Sequence, residues 1–468
     1  MKPVNARERV VWTVVTVVLL AALAFFTFSP RLLAGTTEEE TQAYVANIEK
    51  ALTYIRDNYV DADKAQPKPL YEGALKGMFD ALGDPYSAFQ TSAEWRKTSD
   101  VTVGSFGGVG LIITKKENVG AEVVSPIEDS PAYKAGISAG DIIIRVNGDP
   151  VDKKAIDDIV GLLRGDPKTT VTVTIQRGES IVFDTTITRD TIEVPTVKRT
   201  MIPAGVGYLR IIEFSAKTAE RCREAIRFFK DNKYASLVID LRSNPGGLLS
   251  SSVDVANLFF DEGLIVEQRS ERSPDQNYRY MARKNRMLVD PKIPIVVLVD
   301  RGSASASEIL SGALRDSHRA VLYGEKTYGK GSVQTVMPFG DGGFRLTTAR
   351  YYLPSGVTID KVGIEPDRPI AEPALTEAEQ KSLNDILNGT FVPDFVKAHP
   401  APTEAQVNEF IAGMRAKGNV LNDRSFRILV RNEVNSKLNS PPLYDLDLDL
   451  VLQAAVKDLQ GGEPAAKK

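Results

Sequence analysis

The chain has 468 residues, 43% apolar and 25% charged, a globular balance with room for about two to four domains. A formal net charge of −3 gives no sign of a nucleic-acid partner. One cysteine, Cys222, excludes an intramolecular disulfide, and two histidines, His318 and His399, leave little from which to build a zinc site or a Ser-His-Asp triad.

Lys2, Arg7 and Arg9 precede an apolar run, Val10–Phe28, broken only by threonines. That run is long enough to cross a bilayer, and the basic flank is expected to stay cytoplasmic. Residues 1–35 are therefore read as a signal or membrane-anchor segment. LLAG at 32–35 is a candidate cleavage site, although the length of the run favours an uncleaved anchor. Everything after it is expected outside the cytoplasm, tethered to a bacterial inner membrane or periplasmic.

Thr41, Tyr44, Val45, Ile48, Leu52 and Ile55 recur at helical spacing, and Leu70, Ala74, Met78 and Leu82 mark a second helix. A helical region over 36–95 buries little alone and needs another part of the chain or another subunit.

Residues 96–190 contain FGGVGLII at 106–113, then SPAYKAG as a short helix and GDIIIRVNG as a strand and turn. Ala155–Leu163 reads as a second helix, and Val171–Gln176 and Ile181–Ile187 alternate as strands. Together these resemble a PDZ domain. The resemblance makes Gly108, Val109, Gly110 and Leu111 the loop that binds a carboxylate, where converging amides meet a peptide C-terminus added as a strand. Arg164, in LLRG, resembles an arginine that in relatives links the occupied PDZ domain to a protease site; it also reads as a surface arginine at a helix end.

Strands and helices alternate over 191–372, suggesting an α/β domain. GVGYLRIIEF is a strand, Ala219–Lys230 an amphipathic helix carrying Cys222, and Ser236–Leu241 a buried strand running into RSNPGG. Leu248–Phe260 reads as helix. Ile295–Val299 is a strand, Asp300–Ala304 a small-residue turn, and Ser305–Arg315 a helix with Ile309, Leu310 and Leu314 on one face. Ala320–Tyr323 is a strand leading to a glycine-rich loop with Lys330; Phe344–Leu353 is a further strand. GEKTYGK at 324–330 fits the start of a P-loop, but Gly331 stands where Ser or Thr should hold magnesium, and an alternating strand pattern follows where a P-loop opens a helix. Residues 373–468 are helical and polar, with a capping-box start at Thr376 and Glu379 and a disordered tail.

A serine at a strand-to-helix elbow meets the unpaired N–H groups and positive end of the helix dipole, and a lysine in a dry site can act as its base. Ser303 or Ser305 could equally serve as an N-cap. The stretches GSASASEIL and GEKTYGKGSVQ closely resemble the carboxyl-terminal processing, or tail-specific, proteases. The resemblance implies Ser305 as nucleophile, Lys330 as general base and Gln334 as its support. It also implies an oxyanion site made by the amide of Ala306 with that of Gly246 or Gly247. His318, beyond the end of the same helix, points away from such a site.

The expected architecture is thus multidomain α/β: a protease core with an inserted, mainly-β PDZ domain, helical N- and C-terminal regions and a membrane anchor. The expected activity is a serine endopeptidase cutting extracytoplasmic proteins near C-termini recognised by the PDZ domain, with no metal or organic cofactor. The expected partners are protein C-termini, the membrane, and a second copy or higher homo-oligomer, with room for an adaptor and none for nucleic acid. The competing reading is a membrane-tethered PDZ scaffold or chaperone with an inactive hydrolase core.

Overall fold

The computed structural model describes residues 38–95, 105–116, 118–127, 130–138, 140–178, 180–193, 195–438 and 441–461. The apolar run at 10–28 and the polar tail after 461 lie outside them. Among the described residues no helix is long and apolar enough to cross a membrane.

The chain divides into two compact units after Thr91. The first holds α1 (Glu38–Asn58) and α2 (Pro67–Asp80). Pro67 opens α2, where its missing N–H costs nothing. Tyr71 packs edge-on against Phe89, with ring centroids 6.3 Å apart. On α1, Tyr44, Val45 and Ile48 stay exposed.

The second unit begins with a small β domain. β1 (Ser105–Gly108) pairs antiparallel with β7 (Asp190–Glu193). Between them a sheet runs in the order β2 (Leu111–Lys116), β3 (Gly120–Pro126), β4 (Ile142–Val146), β5 (Thr170–Arg177), β6 (Ile181–Thr188). On β5, Val171, Val173 and Ile175 point inward at every second position. They pack with Ile143, Val123 and, from α3 (Ile156–Leu163), Ile159 and Leu163. β2 lies at the sheet edge.

The larger part is a six-stranded sheet in the order β8 (Val197–Ile202), β9 (Val206–Ile211), β10 (Ser236–Asp240), β13 (Ile295–Val299), β14 (Val321–Gly324), β17 (Arg368–Pro369). Only β8 runs antiparallel. SLVID and IVVLV are buried at every position, as central parallel strands covered on both faces must be. One face carries α4 (Thr218–Asp231), α5 (Leu249–Ala256) and α6 (Ala306–Asp316) over a core of Leu209, Phe229, Ile239, Val297 and Ile309. Cys222 is buried in that core and its thiol is pushed up to about 12 by burial, so it is an inert packing residue. The helix expected over 248–260 is shorter: it ends at Ala256, a turn follows, and Phe259 and Phe260 are buried in the core.

A second sheet, not foreseen from the sequence, stands beside the first. β11 (Leu264–Arg269) pairs with β12 (Tyr278–Met281) and with β16 (Gly342–Tyr352), and β16 pairs with β15 (Ser332–Phe339).

Helices α7 (Glu377–Leu387), α8 (Phe391–Ala398), α9 (Glu404–Ala416) and α10 (Asp423–Ser436) form their own apolar cluster around Ile386, Ile411 and Phe426. Thr376 and Glu379 cap α7 reciprocally, as the sequence pattern indicates. The last helix, α11 (Leu450–Gly461), is different. Leu452, Ala455, Val456 and Leu459 cover the other face of the large sheet, against Tyr208, Val238, Val296 and Tyr323.

Candidate active site

The β13–α6 connection is a tight elbow. Asp300 accepts from the Gly302 amide (2.9 Å) and from the Ser243 amide across the cleft (2.8 Å). Ser305, the residue before α6, has φ 55° and ψ −113°. For a residue with a Cβ this left-handed backbone costs about 1–3 kcal/mol and persists only when its surroundings fix it. Such strained strand-to-helix turns present a serine side chain at the head of a helix.

The three serines of SASAS and its continuation have different fates. Ser303 donates its hydroxyl to Leu241 O (2.8 Å) and Ser307 donates to Asn244 O (3.0 Å); both side chains are fully buried. They are structural. Ser305 alone stands at the strained position.

The turn after β10 meets this elbow. Asn244 is buried and donates through Nδ2 to Ile211 O (2.9 Å), while its backbone oxygen accepts from the Ala304 amide (3.0 Å). Gly246, at φ +102°, comes so close that a Cβ there would sit 2.7 Å from Ala304 O, 2.8 Å from Ser305 Cβ and 2.9 Å from Ala306 N. Gly246 thus lies at the elbow, while Gly247 lies against Phe214. The Gly246 amide donates to Asn244 Oδ1 (2.9 Å), so it is committed inside the turn. Ala306 occupies the first position of α6, among the amides that lack an intrahelical acceptor.

The loop carrying Lys330 is tied to the same place by a residue that the sequence reading missed. Glu308 is fully buried, and its carboxylate accepts four hydrogen bonds. Oε2 takes the Ser305 amide (2.8 Å) and the Lys330 amide (2.9 Å); Oε1 takes the Gly329 amide (2.8 Å) and the Thr327 hydroxyl (2.5 Å). Burial raises the Glu308 carboxyl above its ordinary value, although all four donors pull the other way. The signal for it was present: Ser305-x-x-Glu308 is a capping-box pattern. Gly331 leaves no space for a side chain, since a Cβ would fall 2.3 Å from Asp360 N. Thr327 Oγ1 in turn accepts from the Ile364 amide (2.7 Å), which ties the segment 363–367 to the loop.

Lys330 itself is partly buried. Gln334 lies on β15 just past a register shift, and its Nε2 donates to Ser332 Oγ (2.8 Å) and Thr347 Oγ1 (3.2 Å). A strand, not a helix, follows the GEKTYGK loop, so the phosphate-loop pattern is without its structural context. His318 is exposed at the far end of α6 and His399 ends α8. Among the described residues no cluster of His, Cys, Asp and Glu could hold a metal ion.

In the small β domain, Gly108 ends β1 and Leu111 opens the edge strand β2. Between them the carbonyls turn inward: Val109 O accepts from the Ala132 amide (2.9 Å), and Gly110 O from the Ile127 amide (2.9 Å) and Ser130 Oγ (3.1 Å). Gly110 has φ +79°, and a Cβ there would collide with Ser130. Arg164 caps α3 and stacks over the Phe106 ring, 4.5 Å from its centroid.

Sequence comparisons agree with this layout. The profile of peptidase family S41 matches residues 205–370, that of the PDZ domain residues 122–177, and that of the activating protease CtpB N-terminal domain residues 30–92. A carboxy-terminal-processing protease of Bartonella bacilliformis is 38% identical over 372 residues, 78% of this chain and 83% of that protein. The carboxy-terminal processing protease CtpA of Bacillus subtilis is 35% identical over 354 residues, 75% of this chain and 74% of its own. A solved photosystem II D1 C-terminal processing protease is 31% identical, covering 72% of this chain and 94% of its own, with a TM-score of 0.41. A serine-type peptidase carrying a PDZ domain is the class so defined. The chain belongs to the carboxy-terminal processing proteases of peptidase family S41.

Proposed function

We propose that the chain is an endopeptidase in which Ser305 is the nucleophile, Lys330 its general base and Gln334 the group that orients the lysine. The observation that carries this reading is the Glu308 carboxylate, which holds the Ser305 amide and the Lys330 amide on one oxygen. Lys330, neutral in the resting state, takes the proton from Ser305 Oγ as that oxygen attacks the peptide carbonyl. The developing oxyanion is held by the amides of Ala306 and Gly247, since that of Gly246 is engaged by Asn244. Lys330 then protonates the leaving amine, and water cleaves the ester. Gln334, whose Nε2 is held by two hydroxyls, turns its carbonyl oxygen to the lysine.

The loop Gly108–Leu111 receives the substrate C-terminus, and its chain is added beside β2, the edge strand. Arg164 passes that occupancy towards the protease core. Substrates are extracytoplasmic proteins with apolar C-termini, reached from a membrane anchor at 10–28. The uncovered apolar side chains of α1 support assembly with a second copy.

The test is incubation of the full chain with an unfolded protein ending in apolar residues, beside Ser305→Ala and Lys330→Ala. Cleavage by the native chain and retention of intact substrate by Ser305→Ala are expected. A native chain that binds without cutting would establish the scaffold reading, and cleavage by Ser305→Ala would remove the assigned nucleophile.

A further inference from the structure

The last 21 described residues pack an apolar helix face on the large sheet and also reach the core through a part-buried ion pair, two residues before the turn beside Ser305. Asp240 closes β10 and is fully buried. It accepts from the Tyr208 hydroxyl (2.6 Å), the Arg242 amide (2.9 Å) and Arg242 Nη2 (2.7 Å). The same guanidinium then reaches out of the core: Nη1 donates to Asp449 Oδ1 (2.8 Å) and Nη2 to Asp449 Oδ2 (2.7 Å). Asp449 also caps α11 by accepting the Leu452 amide (3.0 Å). Tyr444, in the same arm, packs on the Tyr208 ring with centroids 6.1 Å apart. Two residues past Arg242 begins Asn244-Pro245-Gly246-Gly247, the turn that touches Ser305 and Ala306.

We propose that Asp449 is a positioning residue, fixing the oxyanion turn by gripping Arg242. This rests on the oxyanion role given above to Gly247. A planar, bidentate arginine–carboxylate pair resists rotation as well as stretching. An arginine clamped between Asp240 and Asp449 therefore holds the following turn in one orientation, and an arginine clamped on one side only does not.

The experiment compares kcat, KM and thermal midpoint of the full chain with Asp449→Asn and with Asp458→Asn, on a fluorogenic peptide with an apolar C-terminus. Asp458 accepts from the Tyr323 hydroxyl (2.5 Å) and ties the same helix to the sheet away from the turn. Asp449→Asn should lower kcat about tenfold with KM within about twofold, as expected for lost transition-state contact. Asp458→Asn should lower the thermal midpoint with kcat unchanged. If Asp449→Asn does not fold, Asp449→Glu, which keeps the charge but shifts the carboxylate by one methylene, makes the same comparison. Equal kcat in the native chain and the Asp449 variant, or an equal fall in the Asp458 variant, overturns the proposal. Ser305→Ala, run alongside, separates these outcomes from failure of the nucleophile assignment, since only the latter leaves that variant active.

Discussion

Ser305 and Lys330 donate their backbone amides to the same oxygen, Oε2 of Glu308, at 2.8 and 2.9 Å. One buried carboxylate therefore sets the separation of the two residues to which the chemistry is assigned. Removing it by Glu308→Ala leaves four donors facing a void and should destabilise the chain by about 3 kcal/mol or more. Cleavage should fall by about a hundredfold beyond any loss of folded protein. Thermal melting and kcat measured on the folded fraction check both. An intact kcat would show that the elbow and the loop hold their places without Glu308.

The neighbouring serines provide a contrast within one segment. Ser305→Ala should abolish peptide cleavage and labelling by a fluorophosphonate probe. Ser307→Ala removes its buried hydrogen bond to Asn244 O, and Ser303→Ala removes one to Leu241 O and one from the Asp300 amide; each bond should be worth about 1 kcal/mol of stability, while labelling persists. Labelling at Ser303 or Ser307 would contradict the assignment of the nucleophile.

Gly246→Ala tests the close approach of the two turns. A methyl group there meets Ala304 O, Ser305 Cβ and Ala306 N within 3 Å, at a φ that L-residues rarely adopt. The variant should be destabilised by about 1–3 kcal/mol from backbone strain and should lose most activity, because relief requires the elbow to move. Denaturant unfolding and peptide turnover report the two effects separately.

The small β domain should bind a peptide with a free carboxyl terminus, and Gly110→Ala should weaken it at least about tenfold by forcing the loop off Ser130. The peptide amide, lacking the carboxylate, should bind weakly to both. Fluorescence anisotropy on the full Ser305→Ala chain measures this. Equal affinity for acid and amide would remove the carboxylate role of Gly108, Val109, Gly110 and Leu111.

Acid should loosen the fold through particular carboxylates. Burial alone would raise Asp141, but hydrogen bonds from Arg177 and the Ser138 amide outweigh it and hold the group below its ordinary 3.8. Burial also works against Asp240, and Arg242 and Tyr208 override it in the same direction. A depressed folded-state value means stability that is complete above 3.8 and is lost as pH falls through the lower value. Asp141→Asn should therefore be less stable than the native chain at pH 7, with the gap closing below about pH 4. Thermal melts across that range check the sign; a gap that widens in acid would refute it.

Much of the arrangement was legible from local chemistry. Alternation in TVTVTIQR, continuous apolar runs in SLVID and IVVLV, and the Thr376–Glu379 cap each specify one element by short-range physics. The serine elbow and the glycine loop could be paired because their residues match a known pattern. The part missed was Glu308, since a capping-box glutamate looks like a local device. Its other three donors come from Thr327, Gly329 and Lys330, which the chain brings back only after another strand.

From the sequence alone come most of the strands and helices, the strand-to-helix elbow that carries the SASAS serines, and the family the chain resembles; these depend on periodicity, turn chemistry and motif, all of short range. The tertiary structure decided which glycine amide is taken by Asn244, that Glu308 joins the elbow to the lysine loop, and that the polar-looking C-terminus ends in a helix closing the core through Asp449 and Arg242. Those are contacts between residues distant in the chain. Their partners become adjacent only when the parallel strands assemble, so a hydrogen-bond acceptor's occupant cannot be read from its neighbours in the chain.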